Sequence, residues 1–180
     1  LISLIGGYEI IRLYSGRKKY HAQRLQMIII TSLYLLLTAG LLAFSYLSSP
    51  EVIVFVYLTV AVFDGFSQVI GQLLGRHQLA PAISPAKTVE GTLGGLCSAM
   101  LFALFLRSLL HFSVSQALFI GGLLSVAGLG GDLLASWCKR LYGIKDFGRI
   151  LPGHGGILDR FDSLLVAATV FWLYTGYARF

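Results

Sequence analysis

The sequence predicts an all-α fold: a polytopic transmembrane helical bundle forming a single domain over 1–180, with one partial and five full spans. Three observations predict it. Hydrophobic residues make up 56% of the chain and charged residues only 12%, about half the charged share of a typical soluble domain, and the mean hydropathy is +0.78. Apolar runs recur that are long enough, at roughly 20 residues as helix, to cross about 30 Å of hydrocarbon. None alternates as a barrel strand would, and a helix is the other structure that satisfies its own backbone in lipid.

Taken in order, the first apolar piece, 1–14, is short. It begins on Leu1 rather than Met, so it reads as the end of a truncated helix and not as a signal peptide. Full spans are expected over 27–47, 52–75, 92–112, 116–137 and 161–177. The loops between them alternate sides. One side receives Arg12, Arg17, Lys18, Lys19 and Arg24, then Arg76 and Lys87, then Lys139, Arg140, Lys145, Arg149 and Arg160. The other receives Arg107 and Arg179. A split of twelve against two among the fourteen basic residues places the first side in the cytoplasm. It also accounts for the net charge of +6 without a nucleic-acid partner. Cys97 falls in a span and Cys138 in a cytoplasmic, reducing loop, so neither suggests a disulfide.

Polar groups inside the spans are the next signal. Asp64 lies about 20 Å and 17 Å along the helix from the two ends of its span, close to mid-bilayer. A carboxylate there costs at least about 2.5 kcal/mol unless it faces a cavity or a partner. Gln68 and Gln72 follow at i+4 and i+8 on one stripe. The stripe is either a seam that glues helices together or the wall of a hydrated substrate cavity, and the second is the preferred reading. Asp132 is the other in-span acid, one turn from the cytoplasmic end of its helix, with Ser136 on the same face. Its bland alternative is an acid paired with Lys139 or Arg140.

The 76–90 loop is stiffened by Pro81 and Pro85, and Ser84, Lys87, Thr88 and Glu90 precede Gly91, Gly94 and Gly95. Free N–H groups and the positive dipole end favour phosphate at a helix start. The Walker order is absent, so this is not a P-loop, and an ordinary helix cap explains the segment equally well. The stretch SWCKRLYGIKDFGRILPGHGGILDRFDS, 136–163, concentrates Lys139, Arg140, Lys145, Arg149 and Arg160 with Asp159 and Asp162. Cations that bind phosphate beside carboxylates are what Mg²⁺ requires: one or two acids, waters and phosphate oxygens. The competing reading is a positive-inside loop with compensating acids.

The pattern is more specific than these residue types. Ser136, Lys139, Arg140, Lys145, Asp146, Gly148, Pro152, Gly153, His154, Gly155, Gly156, Asp159, Arg160 and Asp162, with their spacing, closely resemble the signature of the phosphatidate cytidylyltransferases, or CDP-diacylglycerol synthases. The upstream GRHQLAPAISPAKTVEGTLGG is similar to a second region of that family. Together they cover roughly 64–165. The resemblance implies that CTP and phosphatidic acid give CDP-diacylglycerol and pyrophosphate with Mg²⁺, leaving room for a second cation. By the same matching, Asp132 and Asp159 look like metal ligands, with Asp162 a third candidate. Lys139, Arg140 and His154 fall to the catalytic loop, where His154 either contacts phosphate or orders the glycine turn in a structural role. Ser84, Lys87, Thr88, Lys145, Arg160 and Asp64 fall to substrate binding, with Lys139 and Arg140 also candidates to hold phosphates. A homodimer in the bilayer is also implied.

The chain departs from the family at Ala135, where a Glu is common, and at FDGFSQVIGQ, where Gln68 and Gln72 replace aromatic bulk. Two rival readings go with these departures: a CTP-dependent lipid kinase of the polyprenol or phytol type, which would release CDP, and a non-catalytic scaffold that keeps the fold.

Overall fold

The computed structural model describes residues 7–8, 22–141, 143–147, 156 and 158–178. The order is α1 (Ala22–Leu47), α2 (Pro50–Leu74), β1 (Gln78–Ala80), β2 (Ser84–Thr88), α3 (Val89–Phe105), a 3₁₀ turn (Arg107–Leu110), α4 (Val114–Leu141) and α5 (Leu158–Ala178). The helical bundle is as expected, and its chain belongs in a membrane. Three helices among the described residues, Ile28–Leu47, Pro50–Leu74 and Val114–Leu141, are long and apolar enough to cross one. Large apolar side chains such as Leu36, Tyr46, Leu73, Leu101 and Phe105 stand exposed on the outer surface, where lipid would cover them.

Local sequence explains the boundaries. Pro50 opens α2 behind Ser49, with Glu51 in the first turn, where a fixed φ and a negative charge both suit a helix start. At the far end the Gly75 amide bonds back to Gly71 O at 3.1 Å. Thr88 caps α3, its Oγ1 accepting from the Gly91 amide at 3.1 Å, which removes one of the orphan donors. The 92–112 span is corrected: α3 starts earlier, stops at Phe105 and passes into the 3₁₀ turn, closed by His111 at φ 55°. Its 17 residues reach about 25 Å, short of a full hydrocarbon core. The 76–90 loop is also corrected. It contains an antiparallel hairpin in which Gln78 pairs with Thr88 and Ala80 with Ser84. Apart from residues 7 and 8, which are helical, the expected partial span lies outside the described residues.

Small residues set the packing. Gly91, Gly95, Ala99 and Ala103 are buried at every fourth position of α3, so neighbouring backbones can approach closely, the usual solution where lipid removes the hydrophobic drive. A Cβ on Gly95 would lie 2.7 Å from Phe63 O of α2. α2 packs on α3, α3 on α4, α4 on α5, and α1 on α5. The core runs through Phe44, Phe55, Val56, Ile120, Leu124 and Phe171. Phe44 and Phe171 meet edge to face with centroids 6.0 Å apart.

Candidate active site

The hairpin end of the bundle gathers the polar groups. A cavity of about 400 Å³ opens there, walled by Asp64, Ser67, Gln68 and Gln72 from α2, and by Ser84, Ala86 and Lys87 from the hairpin. Asp132 of α4 and Asp159, Arg160, Asp162 and Ser163 of α5 complete it. The α2 stripe, four residues apart along one helix face, thus lines a cavity together with acids from two other helices. Close backbone approach makes this convergence. A Cβ on Gly131 would lie 2.5 Å from Asp162 O and 3.1 Å from Ser163 Cα. Asp132, the next residue, is therefore carried to the start of α5.

Each of two aspartates has a lysine from another element. Lys87 Nζ forms an ion pair with Asp132 Oδ2, their side chains 17% and 27% exposed. Lys139 Nζ donates to Asp159 Oδ1 at 2.8 Å, at 11% and 8% exposure. Asp159 Oδ2 also accepts from the backbone amides of Phe147 and Gly156, both at 2.9 Å. Lys139 sits 5.4 Å from the centre of the Phe147 ring. Asp132 Oδ1 accepts from Ser136 Oγ at 3.4 Å. Ser163 serves two acids: its hydroxyl donates to Asp64 Oδ1 at 3.5 Å and its amide to Asp162 Oδ1 at 2.8 Å.

The sequence-derived residues therefore separate. Asp64, Ser84, Lys87, Asp132, Asp159, Arg160 and Asp162 come together around the cavity, and Lys139 joins them through Asp159. Thr88 spends its hydroxyl on the helix cap. Arg140 bonds two backbone carbonyls, Ile83 O at 3.2 Å from Nε and Ile144 O at 3.3 Å from Nη1, which ties the hairpin turn to the end of α4. Lys145 is exposed and lies off the cavity wall. His154 lies outside the described residues.

Sequence reasoning missed Ser163 and the amides of Phe147 and Gly156. Nothing in an LDRFDS string marks a serine as a bridge between acids on two helices.

The hairpin base is held by Glu90. Its Oε2 accepts from the amides of Arg76 and His77 at 3.1 and 3.2 Å, and its Oε1 meets His77 Nδ1. The His77 ring, then these amides, lower its carboxyl from 4.5 to about 2. Among the described residues no three His, Cys, Asp or Glu side chains form a ready metal cage.

An apolar bundle with a charged cavity at one end, holding acids, a lysine and an arginine, defines a membrane protein with a polar site. The comparison with known sequences carries this further: the description "Cytidylyltransferase family" matches residues 1–178, and the chain belongs to that family. Proteins named phosphatidate cytidylyltransferase are similar over 115 residues. That of Staphylococcus saprophyticus is 47% identical, that of Staphylococcus epidermidis 46% and that of Staphylococcus aureus 44%, each over 63% of this chain and 44% of the relative. The chain thus spans less than half the length of these relatives.

Proposed function

We propose that this chain carries the site of a phosphatidate cytidylyltransferase, which joins CTP and phosphatidic acid into CDP-diacylglycerol and pyrophosphate in phospholipid synthesis. The observation that carries the proposal is the single cavity shared by Lys87, Arg160 and four aspartates at the end of a lipid-facing bundle. A water-soluble nucleotide and a lipid phosphate can meet only where polar lining reaches into an apolar body.

The lipid phosphate oxygen attacks the α-phosphorus of CTP. The new P–O bond forms as the bond from that phosphorus to the β-phosphate bridging oxygen breaks, and pyrophosphate leaves with the electron pair. The attacking phosphate is already ionised, so no protein nucleophile or strong base is needed. The obstacle is charge. Two unit anions about 4 Å apart repel by roughly 4 kcal/mol at an effective dielectric near 20, and most of the catalysis consists in cancelling that repulsion and holding the groups in line.

Lys87 and Arg160 supply positive charge on the cavity wall, and Ser84 a hydroxyl donor. The donor set suits Mg²⁺: hard carboxylate oxygens of Asp132 and Asp159, with Asp162 beside them, on a wall that leaves space for waters and phosphate oxygens. When bound, Mg²⁺ would screen the phosphate charge and favour the leaving pyrophosphate. Asp132 and Asp159 are the residues that would hold it, and a second cation belongs to the same proposal.

Lys87, Lys139, Arg140 and Arg160 gather at the hairpin end, and such a cluster of basic residues supports a cytoplasmic opening, where CTP is found. The homodimer is kept as part of this reading and is checked by mass measurement in detergent.

The test uses the chain in detergent or liposomes with Mg²⁺, radiolabelled CTP and phosphatidic acid. Labelled CDP-lipid and pyrophosphate are expected, and Asp132→Asn and Asp159→Asn should each abolish them with insertion intact. Release of CDP in place of pyrophosphate would assign the lipid-kinase reaction instead. Absence of both products would leave the scaffold reading.

A further inference from the structure

We infer that Lys87 is an exchangeable counter-ion that couples cation binding at Asp132 to nucleotide binding, an inference that rests on the function proposed above. Of the two lysine–aspartate pairs, only this one is built to exchange. Asp159 is held from three directions, by Lys139 on one oxygen and two backbone amides on the other. Lys139 itself is 11% exposed, rises from α4 and lies against the Phe147 ring. Lys139 therefore stays in place, and Asp159 would take a cation on the carboxylate lone pair that these three donors leave.

Lys87 is less firmly held. It sits on β2 of a two-stranded hairpin, where the preceding Pro85 and Ala86 are exposed, and it lines the cavity. Its partner Asp132 has Oδ2 taken by the ammonium, while Oδ1 has a 3.4 Å bond from Ser136. A cation that engages Asp132 therefore competes with the Lys87 ammonium, because two positive charges cannot share that oxygen without strong repulsion.

The displaced ammonium does not leave the site. Lys87 and Ser84 line the same wall, so the triphosphate of an incoming nucleotide is the anion that receives it. Cation binding thus frees Lys87 for phosphate, and phosphate draws Lys87 away from Asp132. Linkage makes the two effects equal: each ligand must tighten the other by the same factor. Paired with Lys87, Asp132 does not stand as a bare charge near the bilayer.

The experiment measures Mn²⁺ binding to the full chain in detergent by electron paramagnetic resonance, with and without non-reactive α,β-methylene-CTP. Lys87→Met and Lys87→Gln are compared with the unaltered chain, each shown to be monodisperse. Without nucleotide, both variants should bind Mn²⁺ about tenfold tighter, a typical size for such coupling. The further tightening on adding nucleotide should shrink by about the same factor. The gain should vanish in Lys87→Met/Asp132→Asn.

Mn²⁺ affinity without nucleotide that is unchanged or weaker in both lysine variants would overturn the inference. No Mn²⁺ binding to the unaltered chain would do the same. Formation of CDP-lipid in the product assay would then show that the proposed function stands while this coupling falls, and its absence would remove both.

Discussion

Removing Lys139 is the most direct test of the site's electrostatic design. Its ammonium lies 2.8 Å from Asp159 Oδ1, and the two side chains are 11% and 8% exposed. Breaking a buried pair by deleting one partner typically costs about 3–5 kcal/mol, because the remaining charge is left uncompensated. Asp159 would keep two amide donors, from Phe147 and Gly156, so Lys139→Met should fall near the lower figure, about 3 kcal/mol. At about 2–4 °C per kcal/mol for a chain of this size, that is a drop in Tm of roughly 6–12 °C. The assay is thermal unfolding in detergent with EDTA, so that no added cation replaces the lysine. The double variant Lys139→Met/Asp159→Asn should regain at least half of the loss, since a neutral pair is tolerated far better than a single buried charge. A Tm for Lys139→Met within about 2 °C of the parent, or no recovery in the double variant, would refute the reasoning.

Three further outcomes are expected. Gly131→Ala would place a Cβ 2.5 Å from Asp162 O, whereas Gly130→Ala meets nothing within 4 Å. The first should cost about 1–3 kcal/mol and cut CDP-lipid formation at least about tenfold by shifting Asp132, and the second should leave both near the parent level. Arg140→Lys keeps the charge but loses the fork that bonds Ile83 O and Ile144 O. At about 1 kcal/mol for these exposed bonds, hairpin amides over 78–88 should exchange with deuterium roughly fivefold faster, an effect absent if Arg140 does not hold the turn.

The Glu90 carboxyl is lowered to about 2, so its stabilising effect on the hairpin base is complete above its ordinary value of 4.5 and lost as pH falls through about 2. Amide protection at Arg76 and His77, corrected for intrinsic rate, should decline over that window, and Glu90→Gln should abolish the dependence.

Much of the bundle was legible because hydropathy and helical period are local properties. A run such as VIVFVYLTVAVFDGFSQVIGQ displays both its length and its polar stripe, and Asp64 and Asp132 stand out because carboxylates are costly in apolar spans. Other features resisted. The hairpin at 78–88 was hidden by Pro81 and Pro85, which read as loop punctuation. The stop of α3 at Phe105 was hidden because Leu106, Leu109, Leu110 and Phe112 carry apolar residues onward while the backbone leaves the α-helix. Ala135, where the family commonly has a Glu, packs among Tyr34, Cys138, Phe147 and Leu165. Its neighbours there are apolar, which composition alone could not reveal.

Residue chemistry by itself determined that this chain is apolar enough for lipid and that its acids and cations cluster in a few polar stretches. Only the tertiary structure decided which charges meet. Lys87 pairs with Asp132 across 45 positions of chain, whereas Arg140, equally basic, is spent on carbonyls and Thr88 on a helix cap. An ammonium or guanidinium offers the same donors to a carboxylate, a phosphate or a peptide oxygen. Its role is set by which of these the fold brings within about 3 Å, and that depends on close approaches such as Gly131 against α5, where distant segments converge.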